Sequence, residues 1–468
     1  MKGTGIEIPL NCVDKCLLAL DGIDEPVTTY AILDLEGEVD PVRLNQAIRH
    51  AQMIHPRMRT LLRRKGLRAF REVQEEIEPD ALITKDLTQA GSPTYNECFA
   101  QILSQRIDVR KEFPFRVHLV KKNPLESFLA FTFNHSALDG LRALLFVRTV
   151  TESYNGDMSE PPEVLDDPRM YSDKDELLEF AKSQTARVEK YKRKMVSYLF
   201  HRFVTDAWPP PTRVFHDRNS KSKDLAHCSR AIVPSELDEL VSRATAARVE
   251  LNDILLASLH RTVEKWNRLH GKPSNKIRIM APVNLSPKGF RNIVSNQASW
   301  LSLSTWPEDR ADPVQLLRKV RADAVDATHN RMAFSLVYFF CSCARFPLFA
   351  MRGMCRFLMV SRTYVDSILL TNLGPTWLKV GSDEPAVTGL GDARIVNLAG
   401  STSVVSPMGI SLCLGSYGKR FTVSAAYRPA MFSREKIERF LDLYVSEVLS
   451  YPLGKAQPVP ELAVSQIA

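Results

Sequence analysis

His135 and Asp139 are the residues whose types and spacing first suggest chemistry. An apolar run over residues 128–133 ends at Asn134, directly before His135, and Asp139 and Gly140 then lead into an apolar helical pattern. This order predicts a buried strand, a tight turn and a helix start. Because imidazole is suited to accepting a proton near neutral pH, we predict that His135 is a general base. Asp139 either folds back toward the imidazole or braces the turn with a salt bridge.

The elements that position His135 can be predicted from the flanking sequence. Residues 115–120 and 127–134 have the pattern of strands, and the short turn at 121–124 separates them. Two such runs joined by a short turn predict a hairpin whose end delivers His135. After the Asp-Gly pair, we expect a helix that runs to about Asn155.

The motif itself resembles that of a known superfamily. His-x-x-x-Asp-Gly after an apolar strand is similar to the active-site motif of chloramphenicol acetyltransferase, non-ribosomal peptide condensation domains, polyketide-associated acyltransferases and wax ester synthases. Many members carry two consecutive histidines, and Asn134 replaces the first of them here. The resemblance implies that the second, His135, is catalytic. We expect Asn134 to mark a difference in the choice of acyl acceptor.

Further motifs occur in the order found in that superfamily. Residues 9–14 resemble its Pro-Leu-x-x-x-Asp start, and residues 55–60 resemble its His-Pro-x-Leu-Arg-Thr segment. Residues 252–257 are similar to an Asn-Asp-Val-Leu-Leu-Ala helix, and residues 282–285 match Pro-Val-Asn-Leu. Ser286 stands where arginine is usual. The resemblance covers about residues 9 to 450 of the chain.

Two asparagines are expected to line the active-site tunnel. Asn296 matches an asparagine before a tunnel strand in these families, which we place at residues 300–306, and Asn372 lies in a strand resembling their Ser-Asn-Leu-Gly. The backbone N–H of Gly140 is a candidate donor to the oxyanion. We expect Asp139 to support the site by pairing with Arg278 or Arg291, with little to choose between them.

The fold implied by the resemblance is α/β, with two chloramphenicol-acetyltransferase-like domains arranged as a V. Each has a mixed sheet covered by helices, and the active-site tunnel lies between them. Residues 1–160 form the N-terminal half with the motif, and residues 161–227 are an interdomain connection with one long basic helix at about 175–203. Residues 228–455 form the C-terminal half, and residues 456–468 are a loose tail.

The bulk composition excludes several protein classes. A chain of 468 residues is too long for one ordinary core, which favours two domains. No uncharged apolar run reaches 18 residues, and the N-terminus lacks the character of a signal peptide. The eight cysteines show no zinc-site or disulfide pattern, so we expect buried thiols, no metal and a cytoplasmic protein.

The net charge of +8 could reflect an acidic partner, and the basic residues fall into two clusters, at 57–71 and 187–202. Neither cluster has interleaved aromatic residues, so we expect no nucleic acid. Solvated helix faces are the simplest interpretation, and docking of a carrier protein or of coenzyme A phosphates is the functional one. The apolar segment 331–365 is interpreted as a buried helix pair, with an acyl pocket or peripheral membrane contact as alternatives.

The function implied is acyl transfer from coenzyme A or a carrier-bound pantetheine thioester to an alcohol, in secondary metabolism or lipid biosynthesis. No bound cofactor is needed, because the thioester is the substrate. Partners would be a small-molecule acceptor and an acyl or peptidyl carrier protein. The first alternative is a stand-alone condensation enzyme that makes an amide. The second is a non-catalytic docking module, which the losses at Asn134 and Ser286 keep open.

Overall fold

The structure is a computed structural model. It describes residues 3–21, 26–75, 77, 82–156, 175–220, 222–287, 292–361, 364–377, 385–401, 404 and 407–453. The predicted tail, Arg291 and the first part of the predicted connection lie outside the described residues.

The strands are, in chain order, β1 Gly3–Pro9, β2 Thr28–Glu36, β3 Thr60–Lys65, β4 Arg68–Gln74, β5 Leu82–Asp86, β6 Phe115–Lys121, β7 Glu126–Asn134, β8 Ala226–Ile232, β9 Ile277–Asn284, β10 Ala298–Thr305, β11 Ile368–Pro375, β12 Gly389–Leu390, β13 Ala393–Ser401, β14 Ile410–Tyr417 and β15 Arg420–Tyr427. The helices are α1 Cys12–Leu20, α2 Pro41–Ile54, α3 Tyr95–Ser104, α4 Gly140–Tyr154, α5 Glu176–Thr185, α6 Tyr191–Phe200, α7 Pro234–Ala246, α8 Leu251–Leu269, α9 Pro307–Ala311, α10 Pro313–His329, α11 Ala333–Cys343, α12 Leu348–Ser361 and α13 Arg434–Leu449.

Two six-stranded mixed sheets organise the chain into two lobes. The N-terminal sheet has the order β12-β13-β2-β7-β6-β5, and the C-terminal sheet has the order β10-β9-β11-β14-β15-β8. A smaller sheet, β1-β4-β3, is separate from both. The α/β class with two mixed sheets is confirmed, as is the hairpin of β6 and β7, whose register pairs Phe115 with Phe133.

Each large sheet has its own apolar core. Central strands such as β7 are buried along both faces, which explains the continuous apolar run before His135. Helices α2 and α4 cover one face of the N-terminal sheet, and α8 and α13 pack on the C-terminal sheet. The strand-to-helix junction that carries His135 is therefore fixed at both ends by buried elements.

The lobes are not divided as the sequence suggested. The predicted C-terminal half, residues 228–455, does not stay with its own sheet, because β13 pairs antiparallel with β2 and puts Ala399 opposite Ile32. This pairing covers an edge of β2 that would otherwise expose unpaired backbone groups. No strand is predicted from the sequence at residues 393–401, and a strand pattern alone would not say which sheet receives it.

The predicted long helix at 175–203 is two helices, α5 and α6, followed by a π turn at His201–Thr205. Lys190, directly before α6, has φ of 64°, a left-handed conformation that no continuous helix accepts. Of the predicted buried pair at 331–365, α11 is largely buried, but Met351 is the one buried residue of α12. None of the described helices is long and apolar enough to cross a membrane.

Candidate active site

His135 lies directly after β7, where the chain turns toward α4. Its backbone N–H donates to the carbonyl of Val27 (2.8 Å), and its Nδ1 lies 2.8 Å from the carbonyl oxygen of Leu138. A carbonyl only accepts hydrogen bonds, so Nδ1 must carry the proton and Nε2 keeps its lone pair. The ring is only partly buried. The turn therefore holds the imidazole in the tautomer that a general base requires.

Asp139 braces the turn through backbone contacts. One carboxylate oxygen caps α4 by accepting from the N–H of Arg142 (3.1 Å), and the other accepts from the N–H of Gln297 (2.8 Å). The N–H of Asp139 donates to the carbonyl of Ser295 (3.3 Å). The carboxylate thus joins the first turn of α4 to the segment before β10, rather than acting as a partner of the His135 ring.

The predicted pairing of Asp139 with Arg278 is wrong. Arg278 is fully buried on β9, where its guanidinium donates to Asp366 and, at 3.0 Å, to Asp206. Lys276 lies 3.3 Å from Asp206 as well, and Arg202 donates to Asp366 at 3.2 Å. Buried charges require such partners, and this network supplies them within the C-terminal lobe.

Asn134 is a structural residue of the same turn. Its Nδ2 donates to Asp21 (3.3 Å) and to the carbonyl of Ile107 (3.2 Å). Its Oδ1 accepts from the N–H (3.1 Å) and the hydroxyl (2.6 Å) of Ser136. An asparagine amide offers two donors and two acceptor lone pairs, so the protein uses all four. The expected role of Asn134 in acceptor choice is corrected, because its side chain is buried and fully bonded.

Asn296 lies beneath the His135 turn and does not line a tunnel. Its side chain is fully buried, and its Nδ2 donates to the carbonyl of His135 (3.0 Å) and to Asp14 (2.8 Å). The backbone carbonyl of Asn296 accepts a hydrogen bond from the side-chain amide of Asn11 (2.7 Å). The expectation that Asn296 contacts the substrate path is therefore corrected, since the side chain holds the backbone of the His135 turn instead.

Two buried arginines complete the support of the turn, although the sequence placed both in a basic cluster with a solvated or docking role. Arg57 pairs with Asp14, and Arg71 donates to the carbonyl (2.8 Å) and hydroxyl (2.9 Å) of Ser136. Burial, together with the charge of Arg57, lowers the pKa of Arg71 to about 9, so it stays charged at neutral pH. The predicted solvated basic face at 57–71 is wrong for these residues, because they point into the protein.

Gly140 begins α4 beside the C-terminal lobe. A Cβ at this position would meet Leu373 of β11 at 3.5 Å, an ordinary contact, so space alone does not require glycine here. No described residue accepts a hydrogen bond from its N–H, as is usual in the first turn of a helix. The neighbour of Leu373, Asn372, donates to Asn252 (3.4 Å) and accepts from Gly374 (2.9 Å), and its tunnel-lining role stays a prediction.

Arg142 links the lobes at the position where the usual arginine is missing. Its guanidinium, on α4, donates to the hydroxyl of Ser286 and to the side chain of Gln297 (2.8 Å). Serine is small enough to leave room for this guanidinium. An arginine from the helix after the His135 turn therefore reaches Ser286, and together with Asp139 it joins the two lobes around His135.

The thiols nearest this region belong to Cys12 and Cys341. Ligand atoms of Cys12, Cys341 and Asp175 lie within 4.8 Å of one another. A hydrogen bond with Cys341 and burial raise the pKa of the Cys12 thiol, and the Asp175 carboxylate already accepts from the N–H of Cys12 (2.8 Å). Hydrogen bonds to Asp175 already engage this group, although the Cys341 thiol is only partly buried. The absence of a metal stays a prediction.

The geometry can be compared with known proteins. An uncharacterized protein of Mycobacterium tuberculosis is 27% identical over 455 residues, covering 94% of this chain and 99% of the relative. The first condensation domain of the calcium-dependent antibiotic synthetase, solved with a substrate analogue, superposes with a TM-score of 0.68 at 13% identity, covering 97% of this chain and 98% of that one.

SgcC5 of Streptomyces globisporus, solved in complex with a naphthyl-ethanediol and sucrose, superposes with a TM-score of 0.63 at 16% identity, covering 95% of this chain and 99% of that one. These likenesses extend over nearly the whole chain. The family model described as "Condensation domain" matches residues 24–349, well over half of the chain, and so this protein belongs to the condensation-domain family.

Proposed function

We propose that this protein transfers an acyl group from a thioester to a nucleophilic acceptor, with His135 as the general base. The observation that carries the proposal is the orientation of the imidazole, whose Nδ1–H is held by the carbonyl of Leu138 while Nε2 keeps its lone pair. A base within reach of an acceptor hydroxyl or amine is the one group that direct acyl transfer requires.

In the proposed reaction, Nε2 removes the proton of the acceptor as its oxygen or nitrogen attacks the thioester carbonyl. The tetrahedral oxyanion accepts a hydrogen bond from the N–H of Gly140 at the start of α4. The carbon–sulfur bond then breaks, and the thiolate takes the proton from the imidazolium to leave as a thiol. No covalent intermediate on the protein is needed, so no serine or cysteine nucleophile is invoked.

An alcohol is our first choice of acceptor. SgcC5, a relative in fold that this chain covers almost end to end, was solved with a bound diol. An amine acceptor, giving an amide, is the alternative, since the imidazole serves either nucleophile. The donor is a pantetheine thioester, carried by coenzyme A or by a carrier protein. Both donors present the acyl group on the same pantetheine arm, which the site must admit.

The test is turnover of acyl thioesters by the purified protein. Acyl-coenzyme A and acyl-pantetheine donors are offered with diol and amine acceptors, while released thiol is quantified and products are identified by mass. We expect His135→Ala to lose at least about 100-fold in kcat/KM. His329→Ala, at an exposed histidine near the end of α10, is the matched control and should keep full activity.

Two results would reject the proposal. A folded His135→Ala protein that keeps more than a tenth of wild-type turnover would show that another group takes the proton. Absence of thiol release from every donor, with binding of a carrier protein retained, would identify a docking module instead.

A further inference from the structure

Helix α12 presents apolar side chains to solvent rather than to the core. Phe349 and Phe357 are 71% and 68% exposed, and Val360 is 71% exposed. These positions recur at intervals of eight and three residues, so they share one side of the helix. A surface helix of a globular domain normally has polar residues on its solvent-facing side. Exposed apolar residues on that side of α12 therefore indicate a surface that contacts a ligand or partner.

Helix α6 and the π turn after it carry a second exposed stripe. Val196, Phe200 and Val204 follow at intervals of four residues and are each more than half exposed. Among the described residues, the largely exposed phenylalanines are Phe200, Phe349, Phe357 and Phe346, which lies just before α12. We define the apolar face as Val196, Phe200, Val204, Phe349, Phe357 and Val360.

The two stripes lie in neighbouring parts of the structure. Phe203, inside the π turn, stacks on Phe339 of α11 with ring centroids 4.8 Å apart, and it contacts the ring of Tyr364 just beyond α12. Arg202 donates to the carbonyl of Tyr364 (3.1 Å). The segment that follows α12 therefore packs against the π turn that follows α6.

The two segments that carry the apolar face contain only basic charges. Residues 327–365 contain no aspartate or glutamate and include five arginines, and residues 190–205 contain no acidic residue and include five lysines and arginines. Lys192 and Arg193 on α6 and Arg356 on α12 are exposed. Exposed aromatic and aliphatic side chains surrounded by cations match the interface of a bilayer with anionic headgroups.

We infer that the apolar face docks this protein on an anionic lipid membrane, with α6 and α12 lying in the plane of the interface. A second copy of the chain is a poor occupant, because two surfaces of like charge would meet. A bilayer needs no matching pockets, so it can receive side chains that project from two separate helices. The inference concerns a surface contact, and it holds whether or not the chain catalyses acyl transfer.

The experiment is vesicle co-sedimentation with the full chain. Vesicles of phosphatidylcholine alone are compared with vesicles that also contain phosphatidylglycerol, at low and high salt. We expect binding to the anionic vesicles that weakens as salt rises, and at least tenfold weaker binding to phosphatidylcholine alone. Inorganic phosphate and free phosphoglycerol should not displace the protein from the vesicles, because these soluble anions offer no apolar contact.

Two pairs of variants separate apolar from charged contributions. The double variant Phe349→Ser, Phe357→Ser should lower the vesicle partition coefficient by at least about tenfold, because each ring that enters the bilayer interface stabilises the bound state. Lys192→Glu with Arg356→Glu should lower it by a similar factor on anionic vesicles. The matched control is Leu125→Ser with Leu269→Ser, two equally exposed leucines outside the apolar face, which should bind as wild type does.

Several outcomes would overturn the inference. One is equal binding by the phenylalanine pair and the leucine control, with both proteins folded as judged by circular dichroism. Another is a wild-type protein that ignores anionic vesicles at low salt. A third is a wild-type dimer that the phenylalanine pair converts to a monomer in sedimentation velocity, which would assign the apolar face to a second copy.

Discussion

At the scale of single residues, Asn134 shows how a turn can restrict the side chain next to the proposed base. Its amide fills all four of its hydrogen-bonding positions with Asp21, Ile107 and Ser136. A histidine at this position offers at most one donor and one acceptor when neutral. Asparagine is therefore matched to this turn, whereas the superfamily motif that the sequence resembles implies a histidine here.

This matching leads to a prediction for Asn134→His, which restores the usual pair of histidines. We expect a loss of about 1–3 kcal/mol in the free energy of unfolding, because buried partners of the amide lose their hydrogen bonds. We expect no gain in turnover, because the side chain points into the protein. Urea denaturation and thioester turnover would check both, and a more active variant would contradict the assignment of Asn134 as a brace.

At the scale of elements, the joint between α4 and the segment before β10 holds the site together. Asp139 contributes one oxygen to the cap of α4 and one to the N–H of Gln297, and Asn296 holds the carbonyl of His135. His135 comes from the N-terminal lobe, whereas Asn296 and Gln297 lead into the C-terminal sheet. The site is therefore assembled only when the two lobes are correctly placed.

The two contacts of Asp139 can be separated by mutation. Asp139→Ala removes both and should cost about 2–4 kcal/mol of unfolding free energy, along with most activity. Asp139→Ser keeps an oxygen that can cap α4 but cannot also reach Gln297, so it should recover part of the stability while activity remains low. Thermal melts and turnover give the comparison. If both variants melt at the wild-type temperature, the bracing role of Asp139 is wrong.

Local patterns predicted the elements around His135, and tertiary contacts decided their partners. The hairpin of β6 and β7 and the start of α4 follow from an apolar run, a short turn and an Asp-Gly pair close in sequence. The buried role of Asn296 depends on Asp14, 282 residues away, and no periodicity reports such a contact. Likewise β13 looks like any strand, and only its pairing with β2 places it in the N-terminal sheet.

At the scale of the whole molecule, titratable groups buried in both lobes make stability depend on pH. Histidines in the cores cannot take up a proton without cost, so burial lowers the pKa of His55 and His227 to about 4. The unfolded chain, with a histidine pKa near 6.5, binds those protons readily. The native state should therefore lose stability as the pH falls below about 6.5.

His260 offers a clean test of this effect, since it lies far from the catalytic turn in the core of the C-terminal lobe. It is fully buried on α8, its Nδ1 lies 2.8 Å from the hydroxyl of Thr305, and burial with the charge of Arg310 lowers its pKa to about 3. Between about pH 7.5 and 5 only the unfolded state gains its proton, which should cost wild type about 2 kcal/mol from this residue. His260→Gln keeps a hydrogen-bonding group toward Thr305 but does not titrate. Its unfolding free energy, measured in urea at both pH values, should fall by about 2 kcal/mol less than that of wild type. An identical pH dependence of the two proteins would show that His260 takes up its proton as readily in the native state as in the unfolded chain, which would contradict the lowered pKa.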